Sequence, residues 1–146
     1  MSKGRIFIDY WNFQLNMVDF YGKEFRLDWF KLPSLLINQG AKLIGSPLEY
    51  EGMHVYISYD KNRDGDKSLK DWAHNVIEKA PGVDVIMKER KPRNPQKCPN
   101  GHREIKICPH CGKEIKAMVE KGVDTAIVTD LISLAWENSW EYAILV

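Results

Sequence analysis

The chain has 146 residues, 44% of them hydrophobic and 28% charged, with a formal net charge of +1. This length and composition predict one soluble globular domain with a core of its own. The chain shows neither an apolar stretch of the roughly 18 residues that cross a bilayer nor the pattern of a signal peptide. We therefore expect a cytoplasmic protein without a membrane partner.

The first predicted strand, residues 5–9 ("RIFID"), runs directly into an acid. Its β-branched and aromatic residues favour a covered strand. Ligands of open α/β sheets bind beyond the carboxyl ends of the strands, so Asp9 is a candidate site residue. The alternative is that Asp9 only caps the helix predicted over residues 12–21.

Strands and helices then alternate along the chain. A helix is predicted from Asp28, as its N-cap, to residues 38–40. Further predicted elements are a strand at 53–59, a helix at 68–80, a strand at 83–88, a helix at 121–138 and an apolar strand at 142–146. This alternation predicts the fold class α/β, with a mainly parallel sheet covered by helices on both faces.

Residues 92–118 lack periodicity and are predicted to be an insertion, which carries a zinc-site pattern. "CPNGH" and "CPHCG" supply Cys98, His102, Cys108 and Cys111, the four N or S ligands that structural zinc prefers. His110 is a rival ligand, but within a CxxC turn it is expected to point outward. The alternative is that the cysteines are free. A closed site of this kind would order a polar segment and would not itself catalyse.

The segment 88–121 is strongly basic. It holds ten Lys or Arg and four Glu, a net charge of +6, which leaves −5 for the rest of the chain. Such an asymmetry favours a polyanion partner, and we expect RNA to contact Arg90, Lys91, Arg93 and Lys121. The alternative is a solvated, lysine-rich insertion.

Carboxylates near the predicted carboxyl ends of the strands indicate a second metal site. Asp9 and Asp60 each follow a strand, and Asp124 lies in the first turn of the late helix, six residues before Asp130. Clustered carboxylates bind Mg²⁺ or Mn²⁺, which can activate water against a phosphodiester. Each acid also has a plain structural alternative: Asp124 can complement the helix dipole, and Asp60 can open a turn.

In their order along the chain, "RIFIDYWNF", the Cys-rich insertion, "KGVDTAIVTDLISLA" and "EYAILV" resemble the NYN family of PIN-like nucleases. The resemblance implies a Rossmann-like α/β/α sandwich and metal-dependent cleavage of RNA. By position, it implies that Asp9 and Asp124 are metal-site acids, with Asn12 as a polar partner. Asp130 and Lys121 match the second helix aspartate and the lysine before the first.

The sequence departs from the family pattern at its end. In the family, the strand matching "YAILV" is followed by a Ser/Asp-rich loop with further metal-site carboxylates, whereas this sequence stops at Val146. We therefore expect a piece of a longer chain, one that holds the catalytic metal weakly.

The leading interpretation is one NYN-type domain, residues 1–146, acting as a metal-dependent ribonuclease with structural zinc and catalytic Mg²⁺ or Mn²⁺. A non-catalytic RNA-binding module is the alternative from another class. A phosphohydrolase with Asp9 as nucleophile is disfavoured, because that chemistry usually shows a second aspartate two residues on, and position 11 is Trp. The sequence leaves open whether the protein forms a homo-oligomer.

Overall fold

The computed structural model describes residues 1–92, 100, 107–114 and 118–146. Its strands are β1 (Ser2–Asp9), β2 (Leu48–Tyr59), β3 (Val83–Glu89), β4 (Lys91–Pro92), β5 (Met118–Val119) and β6 (Tyr142–Leu145). Its helices are α1 (Tyr10–Tyr21), α2 (Leu32–Ile44), α3 (Asp64–Asn75) and α4 (Val123–Trp136), with a 3₁₀ turn at Ile77–Lys79.

Four strands form one parallel sheet in the order β3-β2-β1-β6. Asp9, the last residue of the central strand β1, pairs with Tyr56 of β2. On its other side the backbone N–H of Asp9 donates to the carbonyl of Val146, 2.9 Å away. The strands are therefore parallel neighbours, and their carboxyl ends form one rim, which we call the carboxyl rim.

Alternate residues of the strands pack into two separate cores, one on each face of the sheet. Ile6 and Ile8 face α2, α3 and the 3₁₀ turn, whereas Phe7 and Tyr56 face α4. All four side chains are fully buried. The predicted α/β/α sandwich is confirmed, with helices covering both faces of a parallel sheet.

The second strand begins five residues earlier than the pattern predicts. Gly4 pairs with Tyr50 but Arg5 pairs with Gly52, so Glu51 is an extra residue in β2. This β-bulge shifts the phase of the alternation, so the apolar positions Leu48 and Tyr50 are out of step with those that begin at Met53 and one strand pattern does not extend across Glu51.

The predicted bounds of α2 are wrong at both ends. Asp28 caps a turn before the helix, accepting from the backbone N–H groups of Phe30 and Lys31 at 3.1 and 3.2 Å, and α2 begins at Leu32. At the other end Gly40 does not stop the helix. A Cβ on Gly40 would lie 2.8 Å from Ile144 Cδ1, so the glycine allows α2 to approach β6 closely.

The predicted helix 68–80 is displaced towards the N-terminus. It begins at Asp64 and ends at Asn75, and the 3₁₀ turn Ile77–Lys79 follows. The early start has a side-chain cause, because the buried carboxylate of Asp66 accepts from the backbone N–H of Asp60 at 2.7 Å. That bond ties the first turn of α3 to the end of β2.

The predicted insertion leaves the sheet through a short antiparallel stem. Lys91 pairs with Val119 and Pro92 with Met118, and an antiparallel bridge joins Ile107 to Glu114 farther along. The predicted positions Arg93, Cys98 and His102 lie outside the described residues. In the described part of the chain, every helix is too short or too polar to cross a membrane.

Candidate functional site

Asp9 caps α1 and also lies in an acidic environment. Its Oδ1 accepts from the backbone N–H of Asn12 at 3.3 Å, the geometry of a helix N-cap. Burial raises the pKa of Asp9 above its usual value, and the charges of Glu120 and Asp124 raise it further. The role of Asp9 as a helix cap therefore does not exclude a second role for the same carboxylate.

Glu120 and Asp124 lie near enough to Asp9 for their charges to act on it, and we call these three carboxylates the acidic cluster. Asp9 ends the central strand, Asp124 lies in the first turn of α4, and Glu120 directly follows β5. Like charges brought together favour protonation or a bound cation.

Glu120 was not among the predicted site residues. It stands four residues before Asp124 in "EKGVD", a spacing that could have drawn attention to it. Its role depends on the stem of the insertion, because β5 places the residue after Val119 beside the end of β2. The register of that two-residue strand cannot be read from the sequence alone.

A hydrogen-bonded group beside the acidic cluster holds Glu120 in place. Ser58 Oγ donates a short hydrogen bond to Glu120 Oε2, and Arg90 Nε donates to Ser58 Oγ at 3.1 Å. The Arg90 guanidinium lies 5.3 Å from the centroid of the Trp11 ring, and Trp11 Nε1 donates to the Ser58 carbonyl at 2.7 Å. We call these four residues the Ser58 clamp.

Asn12 takes part through its backbone. Its amide N–H donates to Asp9, while its carbonyl and its side-chain Oδ1 both accept from Asn16 Nδ2, at 2.8 and 3.3 Å. The exposed side chain of Asn12 lies one turn of helix from Asp9 and is open to a further ligand.

Asp130 lies away from the acidic cluster. Six residues separate it from Asp124, about 9 Å along a helix, and its Oδ2 accepts from the hydroxyl of Tyr56 at 2.7 Å. Burial is the largest cause of the raised pKa of Tyr56, followed by that hydrogen bond to Asp130. The geometry gives Asp130 a role in tying α4 to the sheet.

Asp60 shapes the turn that follows β2, which was the structural alternative for this residue. Its Oδ1 accepts from the backbone N–H of Asn62 at 2.9 Å, and its own N–H is bound by Asp66. These bonds shape the loop between β2 and α3 and engage Asp60 locally.

Of the residues predicted to contact RNA, three are described: one takes part in internal hydrogen bonds and two are exposed. Arg90 is half-buried within the Ser58 clamp, whereas Lys91, in the stem, and Lys121, before α4, are exposed.

The described half of the predicted zinc site forms a tight turn. Gly112, with φ 67°, donates to the Cys108 carbonyl at 2.9 Å, and the Cys108 N–H donates to the Lys113 carbonyl at 2.8 Å. Backbone N–H groups of Cys111 and His110, and the Cys111 thiol, lower the pKa of the Cys108 thiol. Donors directed at sulfur favour the thiolate, the form that binds metal.

Within the described residues, no three His, Cys, Asp or Glu side chains converge closely enough to hold a metal ion unaided. Magnesium does not require three, because it commonly keeps several waters and binds through one or two carboxylates together with substrate phosphates. The donor chemistry of Asp9 and Asp124 therefore fits a hard divalent cation.

Comparison of the chain with models of known families, with curated proteins and with solved structures finds no match. The geometry of the carboxyl rim is therefore the basis on which a function is proposed.

Proposed function

We propose that the chain is a metal-dependent ribonuclease of the NYN type. The observation that carries the proposal is the acidic cluster, in which burial and two neighbouring charges raise the pKa of an acid at the end of the central strand. A solvated helix cap would not need two further carboxylates beside it.

In this proposal Asp9 and Asp124 hold the divalent cation, which when bound supplies an activated water and offsets charge on the phosphodiester. Asp9 remains fixed by its cap to α1, so its carboxylate needs little reordering when a substrate arrives. Arg90, Lys91 and Lys121 attract and orient the RNA backbone from the flanks of the rim.

The proposal is tested by incubating purified protein with a labelled single-stranded RNA and Mn²⁺. We expect cleavage that stops when EDTA is added and resumes when excess Mn²⁺ is restored. RNA that stays intact while binding the protein would support the alternative, a non-catalytic RNA-binding module using the insertion.

RNA binding is expected to weaken steeply with salt, because Lys and Arg that neutralise phosphates release counterions. Charge reversal at Lys91 and Arg93 should weaken binding further and reduce the salt slope by about 1 for each phosphate that is no longer neutralised. Filter binding or fluorescence anisotropy at several salt concentrations measures both effects.

Lys42→Glu is the matched control, because this exposed lysine lies in the last turn of α2, which precedes the amino end of β2. It should leave binding nearly unchanged. Affinity that is flat between low and moderate salt would show that the basic segment is only a solvated surface.

Zinc is expected at about one ion per chain by elemental analysis, since structural zinc takes four N or S ligands. Cys108→Ala should lose most of it, because the thiolate that the turn favours is removed. His110→Gln is the control and should retain zinc if His110 points away from the ion. Metal-free protein whose thermal unfolding is unchanged by chelator would contradict the zinc site.

A further inference from the structure

His54 is a buried imidazole in β2, on the face of the sheet that α4 covers. It is 9% exposed, and its ring stacks on that of Phe7. In the register of the sheet His54 pairs with Phe7 of β1 on one side and with Asp84 of β3 on the other. The three residues form one row across the sheet, and His54 lies at its centre, where an ionised ring is poorly solvated.

Arg5 reaches this row from two residues earlier on β1. It pairs with Gly52, and a Cβ on that glycine would lie 3.3 Å from Arg5 Nη1, so the missing side chain leaves room for the guanidinium. Arg5 Nη1 lies 2.9 Å from His54 Nε2, and Arg5 Nη2 donates to the Glu51 carbonyl at 3.2 Å. Because Glu51 is the extra residue of the β-bulge, one guanidinium contacts both the bulge and the imidazole.

The contact with Arg5 determines which nitrogen of His54 carries the proton. An arginine side chain has donors and no acceptor, so Nε2 accepts and the neutral ring is protonated on Nδ1. Nδ1 lies 3.8 Å from Asp84 Oδ2, too far for a hydrogen bond but near enough for opposite charges to attract. A second proton on the ring would place two cations 2.9 Å apart. Arg5 would then repel the ring while Asp84 attracts it.

The groups that act on the charge of His54 come from four elements packed around it. Burial is the largest cause of the lowered pKa of His54, and the charge of Arg5 on β1 is the next. Asp84 on β3 and Asp130 on α4 act in the opposite direction. Tyr56 on β2, with its ring centroid 6.4 Å away, has a pKa raised mainly by burial and stays neutral where histidine titrates. The balance favours the neutral ring and its contact with Arg5.

We propose that Arg5, His54 and Asp84 form an acid-sensitive switch within the sheet. The neutral ring holds Arg5 at the β-bulge, and the protonated ring leaves Arg5 and turns to Asp84. Arg5 then loses one of the two hydrogen bonds described for its guanidinium, whose buried Nε has no partner among the described residues. Acid therefore loosens the bulge at Glu51. None of the three residues belongs to the acidic cluster, so the switch can be tested whether or not the chain cleaves RNA.

Nuclear magnetic resonance of the isotope-labelled chain tests the switch without any variant. At neutral pH the imidazole nitrogen shifts should show the proton of His54 on Nδ1. On acidification the backbone amide shifts of Glu51 and Gly52 should change with the same midpoint as the ring, below the ordinary histidine value of about 6.5. A proton on Nε2, a midpoint at the ordinary value, or bulge amides that do not follow the ring would each overturn the switch.

Two charge-removing variants should move this midpoint in opposite directions. Arg5→Met removes the neighbouring cation and should raise the midpoint of His54, whereas Asp84→Asn removes the attracting carboxylate and should lower it further. Lys3→Met, which removes an exposed charge from the same strand, is the matched control and should leave the midpoint unchanged. A midpoint in Arg5→Met equal to that of the unmodified chain would contradict the role of Arg5.

The stability of the chain gives a second readout. Because the folded pKa of His54 is lowered, neutral His54 contributes stability that is complete above the unfolded value and is lost as pH falls through the folded pKa. Between about pH 8 and about pH 5, the urea midpoint should therefore fall more in the unmodified chain than in His54→Gln, which keeps an acceptor but does not titrate. His110→Gln, at an exposed histidine, is the control and should behave as the unmodified chain. Equal falls in the unmodified chain and His54→Gln would overturn the switch.

Discussion

Asp9→Asn is expected to reduce Mn²⁺-dependent RNA cleavage by at least about 100-fold, since even residues that only orient a metal ligand contribute 10- to 100-fold. Asparagine keeps the size and the capping oxygen of Asp9 but removes the charge that a cation requires. The measurement is the initial rate of cleavage at several Mn²⁺ concentrations. Asp19→Asn, at an exposed position near the other end of α1, is the matched control.

The same variant should fold as well as the unmodified chain or slightly better. Asparagine and aspartate cap helices about equally. Because the folded pKa of Asp9 is raised above 3.8, its stabilising contribution exists at acidic pH and is lost as pH rises through the folded pKa. At neutral pH the ionised carboxylate therefore opposes folding. Cleavage by Asp9→Asn at the unmodified rate would mean that Asp9 is only a cap.

Phe7→Ala should lower the free energy of unfolding by about 3–5 kcal/mol, the usual loss for truncating a buried phenylalanine. Phe7 is fully buried between β1 and α4. Its ring stacks on His54 at a centroid distance of 5.4 Å and meets Trp140 edge-on at 6.4 Å. Urea unfolding followed by tryptophan fluorescence measures the loss.

Phe20→Ala is the control for this prediction, because that side chain is 87% exposed and its removal should change stability little. Phe7→Leu, which leaves a smaller gap, should cost about 1 kcal/mol and keeps the test possible if the alanine variant does not fold. A loss below that of Phe20→Ala would contradict the packing of α4 against the sheet through Phe7.

The layered fold could be predicted because its signal is local. The run ending at Asp9 and the apolar run 142–146 are both parallel strands, and the late helix buries Val123 and Ile127, which lie about one turn apart. Hydrophobic period and strand–helix alternation are properties of neighbouring residues, so a single sequence contains them.

The errors arose where distant contacts decide a local outcome. From the sequence, Gly40 is expected to end the helix. In the structure, its missing Cβ makes room for the side chain of Ile144, 104 positions away. The bulge at Glu51 depends on pairing with β1. Neither the Gly40–Ile144 contact nor the pairing at Glu51 can be recognised from the residues next to it in the sequence.

The candidate site shows the same division. Asp9 could be identified from the strand that precedes it, and Asp124 from the start of its helix. Glu120 and Ser58 could not, because they are 62 positions apart and meet only through the stem. Asp130 lies in the same helix as Asp124, but it accepts a hydrogen bond from Tyr56, which lies 74 positions earlier in the sequence.

Because of the two-residue stem, the geometry of the carboxyl rim does not depend on the length of the segment between Pro92 and Met118. Lys91 and Val119 fix the spacing of Arg90 and Glu120 whatever lies between Pro92 and Met118. Doubling a loop costs only about 0.6 kcal/mol in closure entropy. The stem is thus a position at which the inserted segment could be exchanged for one of another length while Arg90 and Glu120 keep their spacing.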